Sequence, residues 1–132
     1  MADPIDVVLQ FIQSINQKDI ESLESLMTEN HRYVDAGGKM FKGRSMMLQN
    51  WKSYFQWFPD YFIEVENYFL EGDLVGLFGF ASGSYMGSEN KDHKWRQPCA
   101  WRIQIKGNQI EYWQVYSDTR RIHSIMENYV SE

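Results

Sequence analysis

One cysteine, Cys99, three prolines and no long apolar run stand in the 132 residues of the chain. A lone cysteine excludes an internal disulfide and makes a reducing compartment the default. Nothing approaches the roughly 20 consecutive apolar residues of a membrane span, so no membrane is expected as a partner. The start, Met1-Ala2-Asp3-Pro4, lacks the charged opening and apolar stretch of a secretion signal. The expected setting is cytoplasmic. Positive charge is also scarce. A formal net charge of -5 argues against a nucleic-acid partner, whose binding needs a basic face. The small clusters Lys39/Lys42/Arg44 and Arg120/Arg121 read as solvated charge. His31, His93 and His123 are too dispersed to suggest a metal site by spacing. Phosphate-binding glycine loops, dinucleotide fingerprints and nucleophile elbows are missing as well. Neither metal nor cofactor is expected.

Aromatic residues are what the chain has in plenty, at 16% within a hydrophobic share of 43%. They are enough to fill a core or to line an apolar cavity. The length suits one domain, and no linker, repeat or low-complexity segment divides residues 1–132.

Asp3-Pro4 is a helix start, with Asp3 as cap and Pro4 in the first turn. Ile5, Val8, Leu9, Ile12 and Ile15 then recur at helical spacing. After the break at Asn16-Gln17-Lys18, Asp19 caps a short second helix that buries Ile20, Leu23, Leu26 and Met27 and ends at Glu29-Asn30. From His31 to Asp35 the pattern alternates, placing His31, Tyr33 and Asp35 on one side. Gly37-Gly38 turns into a short return strand at Lys39-Met40-Phe41. Ser45 is the expected cap of a third helix. Along it Met47, Leu48, Trp51, Tyr54, Phe55 and Phe58 form a wide aromatic stripe, and Pro59-Asp60 ends it.

The second half reads as strands, over 61–70, 74–85, 95–106 and 109–118, followed by a helical or frayed tail from Thr119. Gly76, Gly79 and Gly83 inside one strand suggest the bends of a curved sheet. A two-residue turn at Gly107-Asn108 sets the register of the last hairpin. One face then carries Cys99, Trp101, Ile103 and Ile105 with Ile110, Tyr112, Gln114, Tyr116 and Asp118. Arg102, Trp113 and Val115 take the outer face, where an apolar patch beside an arginine suggests a homodimer interface. A one-residue bulge would swap these faces.

Several stretches, taken in this order of elements, resemble a known family. They are Asp19-Ile20-Glu21-Ser22-Leu23, Tyr33-Val34-Asp35, Phe41-Lys42-Gly43-Arg44 and Gly107-Asn108-Gln109-Ile110-Glu111-Tyr112-Trp113 through Asp118. The chain resembles the SnoaL-like polyketide cyclase and ketosteroid isomerase group, of the nuclear-transport-factor-like kind. The resemblance implies an α+β fold: a cone-shaped, curved antiparallel (mixed) sheet with three helices of the N-terminal half on its concave face. It implies that Asp118 matches the cyclases' acid/base aspartate and Asp35 the isomerases' proton-shuttling carboxylate. The isomerases' two oxyanion donors, a tyrosine and a protonated aspartic acid, fall here at Phe11 and about Ala100, neither of which donates.

Asp118, Asp35 and His31 are therefore the expected acid/base groups, provided their side chains point into the cone. The plainer roles are a turn residue for Asp35, a helix cap for Asp118 and a structural hydrogen-bonder for His31. Trp101, Tyr116, Tyr54, Tyr33, Phe58, Phe55 and Trp51 are the expected ligand-binding residues, core packing being the alternative for the helical ones. The expected ligand is a small apolar, carbonyl-bearing molecule, and the expected chemistry is proton transfer next to its carbonyl. A non-catalytic binding or dimerisation module is the competing reading.

Overall fold

The computed structural model describes residues 3–129. In chain order the elements are α1 (Pro4–Gln17), α2 (Ile20–Leu26), β1 (Met27–Val34), β2 (Met40–Lys42), α3 (Arg44–Trp57), β3 (Phe62–Glu71), β4 (Leu74–Ser84), β5 (Lys94–Lys106), β6 (Gln109–Tyr116) and α4 (Arg120–Glu127). The six strands form one curved sheet in the order β2-β1-β6-β5-β4-β3. All neighbours are antiparallel except β1 and β6, which run parallel, so the sheet is mixed. No helix among the described residues is long and apolar enough to cross a membrane.

Local chemistry explains the helix boundaries. Asp19 caps α2 by accepting the backbone N–H of Ser22 at 3.1 Å, and Lys18 closes α1 in the left-handed region at φ 55°. The second helix is shorter than its apolar spacing suggests. Met27 already stands in β1, opposite Ile110 of β6, where the sheet rather than a further helical turn pairs its backbone. The third helix is capped by Gly43 rather than Ser45. Gly43 sits at φ 103°, a conformation that residues with a Cβ rarely adopt.

Asn16 ties α1 to the start of β3. Its side-chain amide donates to the Ile63 carbonyl at 3.0 Å and its carbonyl oxygen accepts the Ile63 N–H at 2.8 Å. Lys18 Nζ donates to the carbonyls of Asn16 and Tyr61, and burial pulls the Lys18 pKa down against the opposing pull of Asp60. These contacts fix the backbone around Tyr61, which matters for the site.

The closing hairpin departs from the register that its turn sets. Lys106 pairs with Gln109 and Ile105 with Ile110, but Gln104 pairs with Tyr112. Glu111 is thus an extra residue, a bulge, and every side chain beyond it changes face. Trp113 and Val115 turn inward, Trp113 being almost fully buried with its ring 4.9 Å from that of Phe11. Tyr116 turns outward, opposite Ala100, and is 46% exposed. The expected inner and outer sets are corrected accordingly.

Candidate ligand cavity

Between the sheet, α3 and α4 lies a cavity of about 640 Å³, a size suited to a small organic ligand. Five strands supply the sheet side, β2 and β4 through Phe41 and Ala81. Trp95, Gln97, Cys99 and Trp101 alternate inward along β5, Val115 and Ser117 follow from the end of β6, and Tyr33 comes from β1. The third helix and its C-cap present Trp51, Tyr54 and Phe58, and the fourth adds Ile122, His123 and Met126.

The rings form one connected cluster. Phe58 meets Trp95 edge to face at 5.3 Å and Tyr54 at 5.0 Å. Gly83 permits this: a Cβ there would stand 3.2 Å from the Trp95 ring and 3.3 Å from the Phe58 Cβ. Tyr61 meets Tyr54 at 4.9 Å and 89°, with Trp95 at 6.0 Å and Trp51 at 6.5 Å.

Polar side chains are interspersed with the rings: Asn50, Ser53, Gln97, Ser117, Thr119 and His123 lie in the wall beside three tyrosines. Burial raises the phenol pKa values of Tyr33, Tyr54 and Tyr61 far beyond neutrality, with smaller contributions from their negative or ionisable neighbours. All three stay protonated. Burial likewise keeps Cys99 a thiol. The indole Nε1–H groups of Trp51 and Trp95 are buried without a partner, a condition that costs about 1–3 kcal/mol for each donor.

Asp35 is the carboxylate in the wall. Its Oδ1 accepts the N–H groups of Gly37 at 3.0 Å and Lys39 at 2.9 Å, which closes the β1–β2 turn. Oδ2 has no protein partner among the described residues. Asp35 therefore combines the turn role with a position at the cavity.

Four other expected site residues, Asp118, Tyr116, His31 and Phe55, lie outside the cavity wall. Asp118 lies outside the cavity wall: its side chain is 55% exposed and paired with Arg120, Nη2 to Oδ2 at 2.6 Å. Hydrogen bonds from the Arg120 side chain, and then from its backbone, hold the Asp118 carboxyl down to about 2. The bulge at Glu111 is the cause, since it turns Ser117 inward and leaves Asp118 outward. The same inversion removes Tyr116 from the wall. His31 is 1% exposed and belongs to the core. Its Nδ1 lies 2.8 Å from the Ile110 carbonyl, which only accepts, so the proton is on Nδ1. Burial lowers its pKa despite that bond. Phe55 stacks behind Trp51 at 5.4 Å and 28° and is likewise core.

Trp101, Tyr54, Tyr33, Phe58 and Trp51 line the cavity together with Asp35. Tyr61 and Trp95 were missed by sequence reasoning. The signal for Trp95 was available, since the alternation of Cys99 and Trp101 continues backward through Gln97 to Trp95. Tyr61 was read as the first residue of a strand, whereas it sits between α3 and β3. Among the described residues no group of three or more His, Cys, Asp or Glu side chains is placed to hold a metal ion.

A curved mixed sheet wrapped with helices around an aromatic cavity defines the nuclear-transport-factor-like class of α+β proteins. Within it, residues 8–113 match the model of the SnoaL-like domain, and the chain belongs to that family. A SnoaL-like polyketide cyclase from Jannaschia sp. CCS1 superposes with a TM-score of 0.81 at 16% identity, covering 96% of this chain and 93% of the other. IdmH, a polyketide cyclase from Streptomyces antibioticus, gives 0.79 at 19% identity over 96% and 99%. A protein of ketosteroid isomerase-like fold from Catenulispora acidiphila, in complex with trimethylamine, gives 0.79 at 16% identity over 95% and 97%. Identities this low establish the fold alone. No curated protein matches the chain.

Proposed function

We propose that the cavity binds a small apolar, carbonyl-bearing molecule and supports cofactor-independent proton transfer beside the carbonyl, with Asp35 as acid/base. The observation that carries this reading is one carboxylate, alone of its kind among the described residues, in the wall of a cavity built largely from aromatic and other apolar side chains. Asp35 Oδ2 takes a proton from the carbon next to the carbonyl. The C–H electron pair becomes a carbon–carbon double bond and the carbonyl oxygen becomes an enolate. In an isomerase the proton returns to a different carbon. In a cyclase the enolate carbon attacks a second carbonyl, and Asp35 returns the proton to the alkoxide formed. Neutral phenols nearby stabilise the enolate by hydrogen bonding. The polyketide cyclases and the trimethylamine complex among the structural relatives support a cone that admits small molecules.

A second reading, binding without catalysis, is favoured by one observation: Asp35 Oδ1 is already committed to the β1–β2 turn. Both readings take residues 1–132 as one domain, in the cytoplasm, pairing as a homodimer through the outer face of the sheet, without a nucleic-acid partner. The test uses α-tetralone, a small ketone with exchangeable protons beside its carbonyl. In deuterated buffer the native protein is expected to accelerate deuterium uptake, and Asp35→Asn to lose that acceleration while still binding. Binding without acceleration supports the non-catalytic reading. No binding of α-tetralone or related ketones would remove both.

A further inference from the structure

The cavity wall holds more hydrogen-bond donors than the protein uses. Among the described residues the hydroxyls of Tyr33, Tyr54 and Tyr61 have no hydrogen-bond partner, yet none is sealed off from a water-sized neighbour. The Trp51 and Trp95 indole N–H groups add two further unmet donors. Among the described residues neither lysine nor arginine lines the cavity, and His123 is the basic side chain in its wall. An anionic ligand would surrender its hydration there without gaining a counter-charge. A cationic ligand would find aromatic faces and Asp35, but would leave the donor-only indole N–H groups of Trp51 and Trp95 unmatched. A neutral molecule presenting acceptor oxygen satisfies donors and charge together.

Tyr61 is the hub of this arrangement. Its ring contacts both orphan indoles and Tyr54. Its backbone is clamped at both ends, the N–H donating to the Phe58 carbonyl at 3.0 Å and the carbonyl accepting from Lys18 Nζ. A donor fixed in advance loses little freedom when a ligand arrives. We infer that Tyr61 anchors the carbonyl oxygen of a neutral ligand, with Tyr54 and the Trp51 and Trp95 indoles as neighbouring donors. This inference rests on the reading of the cavity as a site for carbonyl compounds, and names the residue and the charge class that reading leaves open.

Three probes of similar size separate the possibilities by calorimetric titration: α-tetralone, its carbonyl-free counterpart tetralin, and the cation phenyltrimethylammonium. The native protein is expected to bind α-tetralone about tenfold more tightly than tetralin, as one buried hydrogen bond to the ketone predicts. Tyr61→Phe is expected to erase that preference and leave tetralin binding unchanged. A preference that survives Tyr61→Phe would overturn the anchor and leave the proposed function standing. Tighter binding of phenyltrimethylammonium than of α-tetralone would overturn the neutral ligand class. Failure of all three probes to bind would overturn the proposed function itself, and the anchor with it. Should the variant not fold, carbon-13 labelling of the tyrosine ring in the native protein gives the same answer. The Tyr61 Cζ resonance moves with α-tetralone but not with tetralin if the inference holds, and stays put if it fails.

Discussion

Gly79 of β4 passes beneath the Glu64 carbonyl of β3 so closely that a Cβ at Gly79 would stand 1.9 Å from that oxygen. The approach sits beside a bulge at Glu66, where Val65 pairs with Gly79 but Asn67 with Phe78. Gly79→Ala must therefore force two backbones apart. It is expected to destabilise the protein by about 2–3 kcal/mol, the upper part of the range for overpacking. Gly76→Ala, whose Cβ would meet only the Phe78 ring at 3.8 Å, is the control and is expected to cost no more than about 1 kcal/mol. Urea unfolding of the two variants checks the contrast, and equal losses would refute it.

Buried His31 makes stability depend on pH. Its pKa in the fold is lowered from 6.5 by burial, so the unfolded chain binds a proton more readily than the native one. Stability contributed by the neutral ring is complete above 6.5 and falls as pH drops below it, down to the lowered native value. The expected slope from this residue is at most about 1.4 kcal/mol per pH unit. Urea midpoints of the native protein measured from pH 7.5 to 5 should fall. His31→Gln, less stable overall, should show a shallower decline, and an unchanged slope would assign the pH dependence elsewhere.

Asp118 answers to Arg120 and not to a ligand. Carboxyl carbon NMR is expected to give a midpoint near about 2, returning towards the ordinary 3.8 in Arg120→Ala. Asp118→Asn is expected to leave α-tetralone binding and deuterium exchange unchanged. A large loss of exchange in that variant would restore Asp118 to the mechanism.

The outer face of the sheet carries exposed aromatic side chains on β3 and β4. Phe69 is 66% exposed and meets Phe78 edge to face at 5.7 Å, and Phe62 and Tyr116 also face solvent. Patches of this kind mark association surfaces. Sedimentation equilibrium is expected to show a dimer for the native protein and a monomer for Phe69→Glu. A monomeric native protein would end the homodimer reading.

The elements and the helical side of the cavity were legible because periodicity reports them directly. Trp51, Tyr54 and Phe58 share one stripe of α3, and Trp101 alternates inward from Cys99. The far end of the last hairpin was not legible. Nothing in Gln109-Ile110-Glu111-Tyr112 marks Glu111 as an extra residue, and one unpaired residue exchanges the faces of Trp113 and Tyr116. Asp118 was misplaced for that reason. Tyr61 and the α4 residues escaped for another: they join the cavity through tertiary packing, which local spacing does not encode. His31 followed its strand alternation inward, but the ring ends on the Ile110 carbonyl within the core and not at the cavity.

The fourth helix gives the cavity part of its wall from a separate piece of chain. Ile122 and Met126 lend apolar surface to the interior, while Arg121 is pinned to the Lys94 carbonyl at 2.9 Å and Arg120 to Asp118. The part of the wall that α4 supplies is therefore held in place by contacts made outside the cavity, so a substitution at Arg120 or Arg121 reaches the wall without touching a bound molecule.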